Sequence, residues 1–152
     1  MQPLPRGVTG FDAPNDSVSA KRFTAACHDA ARQVGGRVVE VRDATERVTP
    51  NFDEAWISGS DGSEAVRVLC NTHHSIVAFA SPAAHERDVC LELVDCPQLA
   101  RVLSAGFRIL SGDEAGTEIS SEATAQLSDA ELDQMRYWNP QRIGDLIFNY
   151  WD

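Results

Sequence analysis

The sequence predicts an α+β fold, a single domain in which a mainly antiparallel sheet of about four to six strands carries helices packed on one face. An amphipathic helix comes first, and a run of short strand patterns follows it. The connections between these strands are too short for parallel crossovers, which favours a meander. Helical patterns then return and end in an aromatic-rich C-terminal helix. The chain of 152 residues is long enough to bury a core without metal or disulfide support.

The N-terminal part divides into a loop or arm over residues 1–18 and the start of the single domain, which we expect to span 19–152. Prolines, glycines and aspartates precede any periodicity in the arm. The first helix is predicted from Ser19, a suitable N-cap, to Val34, because Gly35 and Gly36 end it. Helical spacing gives this helix one apolar face, made of Phe23, Ala26, Cys27, Ala30, Ala31 and Val34.

Strand patterns follow the first helix at residues 38–41, 52–58, 64–72, 75–80 and 88–94. Gly59 and Gly62 suit a hairpin between the second and the third strand. In the third strand Val66, Val68 and Cys70 alternate with other residues, which predicts a half-buried strand. We therefore expect the second face of the sheet to be at least partly open.

One short helix and one further strand are predicted after the sheet. Asp95 is a suitable cap for a helix that includes Leu99 and Leu103, and residues 107–110 have the pattern of a strand. The acidic stretch 111–125 has weak periodicity, so we expect it to be partly irregular.

Two helices are predicted at the C-terminus. Ser128 and Glu131 have the spacing of a capping box, which places the start of the first helix at Ser128. Asn139 as N-cap and Pro140 at the first helical position start the second helix, which we expect to run to the last residue. Its apolar arc contains Ile143, Leu146, Ile147, Tyr150 and Trp151.

The net charge of −10 argues against a general binder of nucleic acid or of an anionic membrane, because both need a basic surface. Between residues 113 and 133 the chain has acidic residues and no basic one. This stretch is a solvated face or a surface that meets a basic partner. Its candidate interaction residues are Asp113, Glu114, Glu118 and Glu122. No apolar run suits a membrane span or a signal peptide, so we expect a cytoplasmic location.

The cysteine and histidine residues give no metal or catalytic motif. The paired spacing of a zinc site is missing from Cys27, Cys70, Cys90 and Cys96, and reduced thiols are expected. Cys27 and His28 lie on opposite faces of the first helix, which excludes a nucleophile–base pair. Cys96 would lie in the first turn of the helix capped by Asp95, which makes it the candidate reactive thiol. We expect no cofactor and no metal, and we assign no catalytic residue.

The leading hypothesis is a non-enzymatic acidic protein that binds another protein, in an accessory, chaperone-like or immunity-like role. The acidic stretch and the surplus of aromatic residues near the C-terminus favour it. Phe148 falls outside the apolar arc, so it is a candidate exposed aromatic for contact with a partner, with Trp138 as its neighbour. In size, acidity and element order the chain is similar to several classes of bacterial accessory protein, including secretion chaperones and toxin-immunity proteins. This similarity transfers no residue roles.

Two alternatives stay open at this point. The first is an enzyme or a small-ligand binder with a pocket between sheet and helices, formed by Cys90, Cys96, His73, His74 or Trp56. The second is a homodimer through the open sheet face or an edge strand.

Overall fold

A six-stranded sheet forms the centre of the computed structural model, which describes residues 3–11, 20–42, 51–59, 65–81, 93–149 and 151. Five strands form an antiparallel meander, and the sixth lies beside the fourth. The strands are β1 (Arg37–Arg42), β2 (Phe52–Ser58), β3 (Val66–Asn71), β4 (Ile76–Ala80), β5 (Leu93–Val94) and β6 (Arg108–Ile109). In the same ranges the helices are α1 (Ala20–Gln33), α2 (Pro97–Leu103), α3 (Gly112–Ala115), α4 (Asp129–Trp138) and α5 (Ile143–Ile147). The predicted α+β fold is confirmed.

Two short strands share the outer edge of β4. β5 pairs antiparallel with the end of β4, where Phe79 lies opposite Val94. β6 pairs parallel with the start of β4, where Ile76 lies opposite Arg108. Because α2 and the turn after it reverse the chain between these two strands, β6 runs parallel to β4 although the rest of the sheet is antiparallel.

One face of the sheet is covered by α1 and α2, as the sequence predicts. The apolar side of α1 buries Phe23, Cys27, Ala30 and Ala31. The sheet adds Ala55, Ile57, Val68, Cys70, Val77 and Phe79 to this core. Gly35 ends α1 with a φ of 78°, a conformation that favours glycine. Gly36 lies so close to the main-chain oxygen of Ser58 that a β-carbon would clash there.

The second face of the sheet is also covered, so the expectation of a partly open face was wrong. Residues 3–11 and helix α5 lie on this side, and both Leu4 and Val8 are fully buried. The sheet contributes Phe52, Leu69, Ile76, Ala78 and Ala80 to this second core. A homodimer through this face would have to displace residues 3–11 and α5.

Strand β3 illustrates why the second face looked open in the sequence. Arg67 and Asn71 share the face of Leu69, and polar residues at every second position are typical of a solvent-facing side. Both are buried, because Arg67 binds the carboxylate of Glu54 on β2 at 2.7 Å and Asn71 donates to two main-chain oxygens. Polar side chains can be buried when the tertiary structure supplies their hydrogen-bond partners.

The start of α2 differs from the prediction. Cys96, not Asp95, is at the N-cap position of α2, and it makes no side-chain capping bond. The Asp95 carboxylate instead accepts a hydrogen bond from the main-chain nitrogen of Gly112 at 2.8 Å. The stretch 111–125 is partly irregular, as expected: Ser111 and Glu114 form a capping box that starts the four-residue α3, and turns and coil follow it.

Helix α4 begins as predicted, with Ser128 at the N-cap and both bonds of the capping box to Glu131 present. The bounds predicted for the terminal helix were wrong. Asn139 is the left-handed C-cap of α4, with a φ of 49°, and α5 begins only at Ile143 and ends at Ile147. Its apolar arc is buried as predicted at Ile143, Leu146 and Ile147. The turn residues 60–62, most of the predicted strand 88–94, Cys90 and Tyr150 lie outside the described residues.

Candidate functional site

Four aromatic rings are in successive contact where the two ends of the described chain meet. We call them the aromatic row: Phe11, Tyr137, Trp138 and Trp151. Tyr137 and Trp138 meet edge to face at 5.1 Å between ring centroids, and Trp138 is parallel to Trp151 at 6.4 Å. Tyr137 is 78% exposed and Trp138 is 39% exposed, whereas the other two rings are half-buried. An exposed cluster of apolar rings is typical of an interaction surface.

The last turn of α4 fixes the two exposed rings. The indole nitrogen of Trp138 donates a hydrogen bond to Gln134 Oε1, one turn earlier, at 3.1 Å. The main-chain nitrogen of Asn139 donates to the oxygen of Met135 at 2.8 Å and closes the helix directly after Trp138. Aromatic pairs such as Tyr137 and Trp138 contribute about 0.5–1.5 kcal/mol beyond the area that they bury. These contacts favour the observed arrangement of the two rings, although neither belongs to the core.

Three asparagines hold the other end of the aromatic row: Asn51, Asn71 and Asn149. The Nδ2 atoms of Asn51 and Asn71 both donate to the main-chain oxygens of Val8 and Ile147, at 2.7–3.1 Å. Asn149 accepts a hydrogen bond from the main-chain nitrogen of Trp151 at 3.2 Å. The asparagines thus join the N-terminal segment and the chain after α5 to the sheet.

A buried carboxylate joins the N-terminal segment to α4. Glu131 is 0% exposed and accepts hydrogen bonds from the main-chain nitrogens of Gly7 at 2.8 Å and Thr9 at 3.2 Å. The hydroxyl of Thr9 donates to the same carboxylate at 2.5 Å. Since Glu131 also closes the capping box with Ser128, one side chain determines both the start of α4 and the position of the segment that leads to Phe11.

The outer face of α4 beside Tyr137 is acidic. Asp129 and Asp133 are exposed on the two turns that precede Tyr137. Arg136 binds Asp133 at 2.6 Å, but their side chains are 76% and 68% exposed. Such an exposed ion pair contributes about 0–1 kcal/mol, so another cation can replace Arg136 at little cost. Over residues 111–149 the basic residues are Arg136 and Arg142, against Asp113, Glu114, Glu118, Glu122, Asp129, Glu131, Asp133 and Asp145.

Phe148 does not have the exposure expected from the sequence. Its ring is 3% exposed and packs edge to face on Phe52 at 5.8 Å. Because α5 ends before Phe148, the helical arc that placed this ring on the surface does not extend to it. Trp138, expected as the neighbour of Phe148, is 39% exposed, and its ring contacts among the described residues are Tyr137 and Trp151. Tyr137 was missed, although its spacing from Asp133 on the polar side of α4 was a usable signal.

The predicted acidic candidates lie outside α4. Glu114 forms the capping box of α3 and lies 3.6 Å from Arg108. Glu118 lies 3.7 Å from Arg142. Asp113 and Glu122 are exposed. Whether these four carboxylates bind a partner stays a prediction.

The described thiols differ in burial. Burial raises the pKa of the Cys27 thiol to about 12. Burial, with a smaller contribution from Asp53, raises the pKa of Cys70 even further. Cys96 is half-buried at the N-cap of α2, so its thiol does not lie in the first helical turn as the sequence suggested. Its reactivity stays a prediction.

His73 and His74 lie in the turn between β3 and β4. Their main-chain nitrogens donate to Asn71 Oδ1 at 2.9 and 3.0 Å, and His74 Nε2 lies 2.8 Å from the main-chain oxygen of Arg6. Burial and the neighbouring His74 lower the pKa of His73, and the Glu131 carboxylate opposes this shift. Within the described ranges, no group of three histidine, cysteine or carboxylate side chains could hold a metal ion.

Of the residues considered for a ligand pocket, Cys96 and His74 lie on opposite sides of the sheet. Cys96 packs on the core under α1 and α2, whereas His74 contacts residues 3–11 on the other side of the sheet. Trp56 carries the guanidinium groups of Arg42 and Arg67 at 5.0 and 5.4 Å from its ring centroid.

Two surface depressions are lined by described residues, and neither contains a cysteine or a histidine. One of about 170 Å³ lies between α3 and α5, lined by Gly112, Ala115, Gly116, Arg142, Gly144 and Asp145, with Leu93 and Phe148. The other, of about 380 Å³, lies at the start of α4 beside Arg6.

The geometry defines an α+β domain whose described ends meet at an exposed row of aromatic rings. No protein-family model, curated protein or solved structure matches the chain. In the parts of the chain that the structure describes, no helix has the length and apolar character to cross a membrane.

Proposed function

We propose that this protein binds another protein and that the aromatic row is its contact surface. The observation that carries the proposal is Tyr137, a large ring that is 78% exposed and yet held in place by Trp138. A ring in this position adds little to the core. Tyrosine and tryptophan are the residues that most often dominate the free energy of binding at protein interfaces.

The row is arranged for binding before a partner arrives. Immobilising a flexible side chain at an interface costs about 0.5–1.5 kcal/mol. Trp138 is already restrained by Gln134 and by its parallel contact with Trp151, and Tyr137 is restrained by Trp138. Less conformational entropy is therefore lost when a partner covers these rings.

The partner that fits this surface combines apolar and basic side chains. The rings supply the apolar contact, and Asp129 and Asp133 supply negative charge beside them. The chain as a whole has a net charge of −10, which attracts a basic partner over a distance. We assign the protein an accessory, non-enzymatic role in a reducing compartment such as the cytoplasm, a location supported by the free thiols of Cys27, Cys70 and Cys96.

Site-specific photo-crosslinking in the source cell tests this proposal. A photoreactive phenylalanine derivative in place of Tyr137 is expected to capture one protein, and the same group in place of the exposed Gln98 on α2 is expected not to capture it. The captured protein is then purified and its affinity is measured by calorimetry. Tyr137→Ala or Trp138→Ala should weaken binding about 30-fold, since a hot-spot ring contributes about 2 kcal/mol.

Three results would contradict the proposal. The first is equal capture from positions 137 and 98, which would indicate non-specific contact. The second is an unchanged affinity in both alanine variants. The third is capture of a second copy of this chain, which would indicate self-association instead of binding to a different protein. Thermal melts should show that each variant is fully folded at the assay temperature, so that a lost affinity is not lost folding.

A further inference from the structure

We infer that the bound segment presents an arginine or lysine side chain, which lies on the ring of Tyr137 and beside the carboxylate of Asp133. This inference rests on the proposed function and adds the chemistry of the group that the partner inserts. The basic charge of the partner is thereby placed at one position, on one ring, and not spread over a general contact between acidic and basic surfaces.

The molecule already uses its aromatic rings in this way at other positions. The guanidinium of Arg22 lies 4.5 Å from the centroid of Phe107, and those of Arg42 and Arg67 lie over Trp56. Within the described residues, no guanidinium lies over a ring of the aromatic row. A tyrosine or tryptophan ring attracts a cation through its negative face, and the attraction grows when water is excluded.

Asp133 makes a cation a better occupant of this position than a neutral group. Residues four apart on a helix lie on one face, so Asp133 and Tyr137 occupy neighbouring positions on the surface of α4. Arg136 binds this carboxylate in the free protein, but the pair is exposed and weak. An incoming guanidinium can replace Arg136 at Asp133 and contact the ring at the same time.

Peptide selection with defined probes tests the inference. A phage-displayed library of random 12-residue peptides is selected on the wild-type protein, and binders of a Tyr137→Ala, Trp138→Ala double variant are removed. Selected peptides are synthesised in pairs that differ only by citrulline in place of arginine, because citrulline has the same shape without the charge. Lysine-containing peptides are paired with their acetyl-lysine forms. The citrulline form is expected to bind about tenfold more weakly.

Single-charge variants of the protein test the role of the carboxylate. Asp133→Asn should weaken the binding of the arginine peptide about threefold and leave the affinity for the citrulline peptide unchanged. Arg136→Ala should increase the affinity for the arginine peptide, since this variant removes the competing cation. Asp29→Asn removes the same charge from an equally exposed ion pair, that of Asp29 with Arg32 on α1, and is the matched control, with little change expected.

The outcomes separate the inference from the proposed function. If the selected peptides depend on the two rings but lack a cation, or if citrulline binds as well as arginine, the inference is overturned and the proposed function stands. If equal losses follow Asp133→Asn and Asp29→Asn, the charge acts from a distance and the position next to Tyr137 is wrong. If no selected peptide depends on the rings, the inference fails together with the proposed function.

Discussion

Replacement of Glu131 by alanine should destabilise the protein more than any ordinary loss of a helix cap. The carboxylate is 0% exposed and accepts hydrogen bonds from Gly7 and Thr9 in addition to its capping bonds with Ser128. In Glu131→Ala the main-chain donors of Gly7 and Thr9 stay buried without a partner. The perturbation therefore acts on the N-terminal segment and on α4 at once.

The magnitude follows from these contacts. Loss of a cap costs about 0.5–2 kcal/mol. Each buried donor left without a partner adds about 1–3 kcal/mol. With two donors, the sum for Glu131→Ala is a fall of about 2.5–8 kcal/mol in the free energy of unfolding. Glu131→Gln keeps one acceptor oxygen for part of the bonds, so a fall of about 1–2 kcal/mol is expected.

Urea unfolding followed by tryptophan fluorescence measures both variants. The matched control is Glu114→Ala, because Glu114 forms an equivalent capping box on α3 but lies at the surface and binds no N-terminal segment. This control should lower the free energy of unfolding by about 0.5–1 kcal/mol. Hydrogen exchange should accelerate at the amides of Gly7 and Thr9 in Glu131→Ala only. A loss in Glu131→Ala no larger than in the control would refute the role given to the buried carboxylate.

Three further predictions follow from burial and charge. Phe148→Ala should lower the free energy of unfolding by about 3–5 kcal/mol, because it empties a buried site, whereas Tyr137→Ala, which removes only the exposed ring pair with Trp138, should lower it by no more than about 1.5 kcal/mol in the same urea assay. A thiol reagent at neutral pH should label Cys96 well before Cys27, whose pKa is raised to about 12, and peptide mass mapping reads each site separately. Because the pKa of His73 is lowered in the fold, the unfolded chain binds this proton at higher pH. The contribution of His73 to the free energy of unfolding is therefore fully present above about pH 6.5 and is lost as the pH falls from there through the pKa of the folded state. In His73→Asn the urea midpoint should fall less over this pH range.

The sequence was sufficient wherever local pattern decides the structure. The apolar face of α1, the bounds of β2 and the capping box at Ser128 and Glu131 were all predicted and confirmed. These features depend on residues a few positions apart, and their spacing is visible without the fold. The antiparallel meander also followed from short connections.

The C-terminal region shows where local pattern fails. Asn139 and Pro140 have the chemistry of a helix start, yet Asn139 takes the left-handed conformation that ends α4. The same residue type suits both positions, so its sequence position does not decide between them. Because α5 ends at Ile147, Phe148 lies in the core and Trp151 lies in the aromatic row.

The sequence alone determined the length, the acidity, the α+β class and the apolar faces of the helices, because these features depend only on composition and on the spacing of nearby residues. Only the tertiary structure decided which polar residues are buried and which aromatic rings are exposed. Arg67, Asn71 and Glu131 are buried because their partners come from distant parts of the chain. Tyr137 is exposed because the core lies against the opposite side of α4. Burial is a property of the packed molecule, and no local pattern records which distant segments will meet.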